Sequence, residues 1–247
     1  MGVSRGEITT RIVKDGLVFN MDPANRASTI PSTNTTKTFN TLDLTESGSF
    51  INDTNYDSST ITPSFHFDGV GDMIDVNEKF DFAQSTAKFS IDCWVKIDNP
   101  LSNAPHMILS NNFTGNGIGI LLWHDDRASQ GLDRSLRFQL AVGSGTYVNV
   151  DNEPVITNTN WHNIIVTSDG TTIRVYFDSN QLSTTGTVPG TTSTTATYTS
   201  TLIGASTLNN GDNFWSGNIG PFHIYNRGLS ANEVLHNYNA LKGRFGL

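Results

Sequence analysis

Residues 161–178 read WHNIIVTSDGTTIRVYFD. Two runs of β-branched and aromatic residues flank Asp169-Gly170, a pair that accepts the positive φ angles of a tight turn. A two-residue loop there puts Ser168 opposite Thr171, Val166 opposite Ile173, Ile164 opposite Val175 and His162 opposite Phe177. Because successive side chains alternate, Ile164, Val166, Ile173, Val175 and Phe177 then share one face. Trp161, Asn163, Thr167, Thr172, Arg174 and Asp178 share the other. A one-residue slip would mix the two sets, so the pattern predicts a hairpin with one apolar face and a core built from sheets.

The composition agrees. The 247 residues are rich in Thr, Asn, Ser and Gly and poor in Lys and Glu, which suits strands and turns better than helices. One domain of this length buries a sizeable core. A formal charge of −8 and a pI near 5.1 argue against a phosphate-binding surface, and so against nucleic acid as a partner. Cys93 is the single cysteine, which rules out an intrachain disulfide, and its place on a core-facing beat of residues 89–97 predicts a small buried hydrophobe. No apolar run is long enough to span a bilayer. The opening MGVSRGEITTRIVKDG lacks the apolar segment of a secretory signal, so a product made in the cytoplasm without classical export is expected. The Asn-x-Thr triplets at Asn34, Asn52 and Asn112 then read as chance products of a Thr-rich chain.

Residues 1–14 are polar and form an arm, either a flexible tail or a piece that orders on a partner. Leu17, Phe19 and Met21 start a first strand that stops at Asp22-Pro23. Weak strands around a turn at Glu46-Ser47-Gly48 are expected within residues 39–55. Phe65 and Phe67, the turn 68–72 and a returning stretch 73–76 follow. Residues 89–97 form a strong strand, 107–110 and 118–123 a second hairpin about Asn116-Gly117, and 136–142 and 147–150 a third about residues 143–145. The loop 124–135 carries the densest charge in the middle of the chain. Residues 183–201 are Thr-rich and fix no strand boundaries, and 202–205 and 217–225 supply the last strands. Ser230-Ala231-Asn232-Glu233 is a capping box, with Leu229 and Val234 placed as a hydrophobic staple. Leu235, Tyr238 and Leu241 continue an apolar stripe, and Gly243 is the expected stop, giving one helix over about 231–241.

GLVFNMDPANR (16–26), SFHFDGVGDMIDV (64–76), FSIDCWVKI (89–97), the stretch 161–182, LIGA (202–205) and FWSGNIGPFHIYNRGLSANEV (214–234) occur in an order that resembles the LamG-like jelly-roll proteins of the concanavalin A-like lectin/glucanase superfamily. The resemblance implies two antiparallel sheets with first and last strands adjacent. Many relatives carry an Asp-Glu pair where Gly220-Pro221 stands here, so any role of those acids is absent. The superfamily holds sugar binders, enzymes and structural modules, so the fold alone decides no function. The polar arm, the early GLV strand and the ending YNRGLSANEVLHNYNALKGRFGL are, in addition, similar to structural proteins of tailed bacteriophages, which assemble in the host cytoplasm and leave by lysis.

Superfamily glycosidases carry Glu-x-Asp-x-x-Glu on one strand, so that alternate carboxylates flank the sugar bond. No such run occurs, and Glu46, Glu78, Glu153 and Glu233 lie far apart. The six histidines lack a cysteine neighbour or metal-ligand spacing, and His162 and His223 fall in strands as structural residues. Asp68 and Asp72, set among glycines, are the candidate Ca²⁺ ligands, although the same residues serve as turn formers. A glycan site needs an exposed aromatic with polar neighbours. Trp123, His124, Asp125 and Asp126, together with Trp215, are the candidates, while Trp94 and Trp161 belong to sheet packing.

The sequence thus predicts an all-β, two-sheet jelly-roll sandwich over residues 15–247, with an arm at 1–14 and a short C-terminal helix. By resemblance, the expected role is that of a non-catalytic virion component (capsid decoration, head fibre or tail fibre). It would form oligomers, touch other virion proteins and contact host-surface glycans through its loops. A stand-alone carbohydrate-binding lectin is the alternative, and a glycoside hydrolase comes third.

Overall fold

A computed structural model describes residues 11–24, 38–40, 47–51, 55–57, 62–76, 78, 80, 82–111, 118–143, 146–189, 201–206 and 213–247. The strands are, in chain order, β1 (Leu17–Met21), β2 (Thr38–Asn40), β3 (Ser47–Ile51), β4 (Asn55–Asp57), β5 (Ser64–Asp68), β6 (Met73–Asp75), β7 (Lys88–Ile97) and β8 (Pro105–Ser110). They continue with β9 (Ile118–Asp125), β10 (Ser135–Gly143), β11 (Thr146–Asn152), β12 (His162–Asp169), β13 (Thr172–Phe177), β14 (Asn180–Thr187), β15 (Leu202–Ile203) and β16 (Ser216–Tyr225). A one-turn helix α1 (Phe82–Ser85) precedes β7, and α2 (Ala231–Leu241) follows β16.

Two antiparallel eight-stranded sheets result. Sheet A runs β14-β13-β12-β7-β16-β5-β4 with β1 added on β16, and sheet B runs β11-β10-β9-β8-β15-β6-β3-β2. The first and last strands pair, Phe19 with Ile224 and Met21 with Phe222, as the jelly roll requires. Between the sheets, Phe65, Phe67, Ile91, Cys93, Leu122, Phe138, Ile164, Val166 and Phe222 belong to one buried cluster. Phe89 of sheet A meets Phe138 of sheet B at 5.8 Å between ring centroids. Cys93 is fully buried, and burial together with the neighbouring Asp92 charge pushes its thiol pKa up. It is a packing residue.

The opening hairpin forms with its faces as expected, but its register differs. Ser168 pairs with Ile173, Val166 with Val175 and Ile164 with Phe177, so the turn centres on Gly170-Thr171. Gly170 takes φ 93° as the first central residue. Asp169 instead closes the turn: its Oδ1 accepts from the Thr171 amide at 2.9 Å, the Thr171 hydroxyl at 2.6 Å and the Thr172 amide at 2.8 Å. Arg174 adds a bond to Oδ2 at 2.8 Å. The Thr171 hydroxyl first, then Arg174, hold the Asp169 carboxyl far below the ordinary carboxylate range. Both registers keep residues 164, 166, 173, 175 and 177 on one face, because they differ by an even step.

The other face of the hairpin is solvated only in part: Thr172 and Arg174 are half-exposed near the turn. Ile165 and Tyr176 pack with Tyr225, Leu229 and Val234 beneath α2, so the middle of sheet A is buried on both sides. The α2 capping box forms: Ser230 Oγ accepts the Glu233 amide, and Glu233 accepts the Ser230 amide at 2.8 Å. The staple pair Leu229 and Val234 is buried. Of the expected apolar stripe, Tyr238 and Leu241 pack against the Trp94, Trp161 and Phe245 cluster, whereas Leu235 is 47% exposed and Asn237 turns inward in its place. Gly243 does not end the chain's helical path. A 3₁₀ turn over Lys242–Phe245 follows, and Gly246 at φ 77° supplies the left-handed stop. That extra turn brings Phe245 onto Trp94 and Trp161.

Other local expectations shift. Ser47 and Gly48 lie in β3, so their connection to β2 falls within residues 41–46, outside the described residues. The stretch after the 68–72 turn does not return beside β5: β6 joins sheet B and the chain crosses between layers. The second and third hairpins form as β8-β9 and β10-β11, and β14 resolves the start of the Thr-rich stretch. The turns at 116–117 and 144–145, residues 1–10, residues 190–200 and the triplet asparagines 34, 52 and 112 lie outside the described residues. Residues 11–14 do contact the domain: the Val13 amide donates to Asn237 Oδ1 at 2.8 Å, and Tyr225 Oη donates to the Val13 carbonyl at 3.1 Å.

Candidate functional site

The two sheets differ in what lies on their outer faces. Helix α2 and the turn after it cover sheet A, whereas β9, β10 and β11 of sheet B present Leu121, Arg137, Gln139, Tyr147, Asn149 and Asp151, all half-buried or exposed. Alternation places them there, since Leu122, Leu136, Phe138, Leu140, Val148 and Val150 fill the inter-sheet core. Register aligns them in rows. Asp151, Arg137 and Trp123 form one, Asn149, Gln139 and Leu121 the next, and Tyr147, Ala141 and Gly119 a third.

In the first row, Arg137 Nη2 donates to Asp151 at 2.9 Å, and its guanidinium lies 5.0 Å above the Trp123 ring. Trp123 is 8% exposed, so Arg137 occupies the face a sugar ring would need. The indole N–H donates to Asp125 Oδ2 at 3.3 Å. Asp125 is fully buried and receives Arg127 through Nε at 2.8 Å and Nη2 at 2.6 Å. Burial alone raises the Asp125 carboxyl, but the Arg127 bonds and the Trp123 indole outweigh it and its pKa is lowered. In the second row, Gln139 Nε2 donates to Asn149 Oδ1 at 2.8 Å.

The expected loop site is mostly interior, because β9 continues through Asp125 and the stretch 123–126 is a strand end rather than a loop tip. His124 is fully buried with Nε2 on the Pro100 carbonyl at 3.2 Å, and burial lowers its pKa. Asp126 accepts the amides of Asn103 at 2.9 Å and Ala104 at 3.0 Å, fastening the loop that joins β7 to β8. Trp215 is completely buried, its edge against His106, and offers no surface to a ligand. His106 is itself tied to Ser102 Oγ at 2.6 Å and the Phe214 carbonyl at 2.9 Å. Of the five expected glycan residues, only Trp123 borders the open face.

Asp68 and Asp72 do come together, through the loop's own amides. Asp72 Oδ2 accepts the Asp68 amide at 2.9 Å, and Asp68 Oδ1 accepts the Val70 amide at 2.7 Å and the Gly71 amide at 3.3 Å. Among the described residues, no group of three or more His, Cys, Asp or Glu side chains is placed to hold a metal ion. No helix among them is long and apolar enough to cross a membrane.

Residues 68–235 match the Laminin_G_3 family, described as Concanavalin A-like lectin/glucanases superfamily. The chain belongs to this superfamily. No curated protein matches it in sequence. Among solved structures, the botulinum neurotoxin serotype D binding domain superposes with a TM-score of 0.66 at 14% identity, covering 91% of this chain and 52% of its own. The receptor binding domain of the botulinum neurotoxin C/D mosaic serotype gives 0.66 at 14%, over 91% and 51%. The binding domain of botulinum neurotoxin DC in complex with SialylT gives 0.66 at 13%, over 92% and 52%. The chain spans about half the length of these domains.

For a member of this superfamily, the open face was readable in principle. Polar beats at Arg137, Gln139, Asn149 and Asp151 alternate with apolar ones in two runs that the sequence already assigns to strands. A search for exposed tryptophans in loops passes over them.

Proposed function

We propose that this superfamily member is a carbohydrate-binding module that uses the outer face of β9, β10 and β11. The Gln139–Asn149 pair carries the reading. Each amide gives one group to the other, which leaves the Gln139 carbonyl oxygen as an acceptor beside the Asn149 NH₂ as a donor. Two neighbouring hydroxyls of a sugar match that pair, and Leu121 and Tyr147 give apolar ground for ring C–H groups. The structural neighbours are binding domains, one of them in complex with SialylT, which supports the reading.

We infer action by binding rather than catalysis. Glu153 is engaged by the Ser135 hydroxyl at 2.6 Å and the Asp133 amide, and Glu233 caps α2. A virion role draws no support from these relatives. The residues of the C-terminal run that suggested it have work in the fold, among them Tyr225, Arg227, Ser230, Glu233 and Asn237.

A glycan array followed by calorimetry tests the proposal. Gln139→Ala with Asn149→Ala should weaken binding by about tenfold or more, as expected for losing two polar contacts. Surface changes of this kind leave stability within about 0.5 kcal/mol. Binding that survives the double substitution would move the site elsewhere, and sugar release from a polysaccharide panel would overturn the non-catalytic reading.

A further inference from the structure

Among the described residues, each arginine on or beside the open face is already matched by an acid. Arg137 is held by Asp151 at 2.9 Å and lies 3.6 Å from Asp125. Arg127 is held by Asp125 at 2.6 Å, and Arg134 by Asp133 at 2.6 Å. Glu153 adds a further negative charge at the β11 end, bonded to the Ser135 hydroxyl and the Asp133 amide. The sequence has no lysine between Lys96 and Lys242, a stretch that includes all of β8 to β11. The one other arginine within β7–β15, Arg174, lies in sheet A and pairs with Asp169.

An anionic sugar bears a carboxylate or sulfate whose strongest partner is a guanidinium or ammonium free to contact it. On this face the Arg137 guanidinium is reached only by breaking its pair with Asp151, which leaves the anion against the displaced carboxylate. Like charges at contact range are repelled, and a partner that forces them together is selected against. The neutral amide pair of Gln139 and Asn149 carries no such penalty for hydroxyls.

Resting on the carbohydrate reading above, we infer that the β9–β11 face takes neutral saccharides and excludes sialylated, sulfated and uronic ones, with Asp151 setting that choice through Arg137. Asp151 is a specificity residue rather than a binding one. Its side chain is 41% exposed and bonded across the row, so Asn in its place keeps the fold and an acceptor for Arg137 while removing the charge that neutralises the guanidinium. Asp125 stays paired with Arg127 in that variant.

The test uses the full chain on an array of neutral oligosaccharides, each printed beside its sialylated and sulfated forms. The wild type should bind neutral cores at least tenfold better than their charged forms. Asp151→Asn should raise binding of the charged forms at least tenfold and leave that of the neutral ones within a factor of about three. The gain should vanish in Asp151→Asn/Arg137→Gln. A wild type that binds charged forms as well as neutral ones overturns the inference and leaves the carbohydrate reading standing. An Asp151→Asn variant with unchanged selectivity overturns the role of Asp151. No binding to any sugar removes the carbohydrate reading itself, and this inference with it.

Discussion

The Phe245 ring stacks on Trp94 with centroids 4.2 Å apart and planes 13° from parallel. Trp94 stands at the centre of sheet A on β7, and Phe245 comes from the last turn of the chain. Residue 220 lies beside the contact, where a Cβ would come within 3.3 Å of both Phe245 and Trp94 and make them give by a few tenths of an ångström. Gly220-Pro221 also interrupts the β16 ladder between Ile219 and Phe222, which is where a proline is tolerated within a sheet. Gly220-Pro221 is thus a bulge beside the C-terminal aromatic.

Removing that aromatic should cost stability. Phe245 is 8% exposed and also tilts against Trp161 at 4.8 Å. Phe245→Ala should lower unfolding free energy by about 2–4 kcal/mol, near the lower end for buried aromatics because the site lies at the rim of the layer. Urea unfolding followed by tryptophan fluorescence reads it directly. A loss under about 0.5 kcal/mol would mean that the C-terminal turn does not pack on the sheet in solution.

Asn237 should matter as much, for a polar reason. Its Nδ2 donates to Asp92 Oδ2 and to the Tyr225 hydroxyl, both at 2.9 Å, while its Oδ1 accepts the Val13 amide. Asp92 and Asn237 are each 1% exposed. Asn237→Ala leaves the Val13 amide and one Asp92 bond unsatisfied beneath α2, at about 2–3 kcal/mol. Hydrogen exchange at Val13 should speed up in step. Unchanged protection there would show that the segment before β1 is held by something other than Asn237.

Acid should loosen the same layer through Glu233. The Arg227 guanidinium, bonded at 2.6 and 3.1 Å, pulls the Glu233 carboxyl down to about 2 from an ordinary 4.5. A folded-state pKa below the unfolded one gives stability that is present above about pH 5 and is lost as pH falls toward 2. Arg227 and Glu233 are 26% and 30% exposed, so solvent screening keeps the effect below about 1 kcal/mol. Melting temperatures between pH 6 and 2.5 should fall less steeply for Glu233→Gln, which can still complete the capping box. Parallel curves would dismiss the pair as a source of acid sensitivity.

These residues show where sequence reading stops. The hairpin faces, the capping box and the adjacency of first and last strands all follow from alternation, local spacing and motif order. The hairpin register does not, because Asp169 is placed by hydrogen bonds to Thr171 and Thr172 that outweigh the preference of Asp-Gly for the turn centre. In the helix stripe only Leu235 departs from the pattern, because sheet A is polar beneath that turn: Asp92 and His223 sit on adjacent strands, and Asn237 bonds Asp92 as the inward residue instead. The burial of the expected loop site has a related cause. Tryptophan in a charged stretch suggests a platform, yet the Arg137 that covers Trp123 comes from the neighbouring strand and is invisible to local reading.

The 68–72 loop is closed by its own hydrogen bonds. A calcium ion takes six to eight oxygen ligands, several of them carboxylate. In the 68–72 loop, Asp68 Oδ1 already accepts two amides, and Asp72 Oδ2 accepts the Asp68 amide across the turn. Asp72 is 1% exposed, so turning it toward a cation would strip the loop of its internal bonds. EDTA should therefore leave the melting temperature within about 1 °C, and millimolar Ca²⁺ should not raise it. Asp72→Ala should lower stability by about 1–3 kcal/mol in either condition, the cost of an unsatisfied amide. A calcium-dependent rise of several degrees that disappears in Asp72→Ala would make the loop a metal site and its amide bonds a feature of the empty state alone.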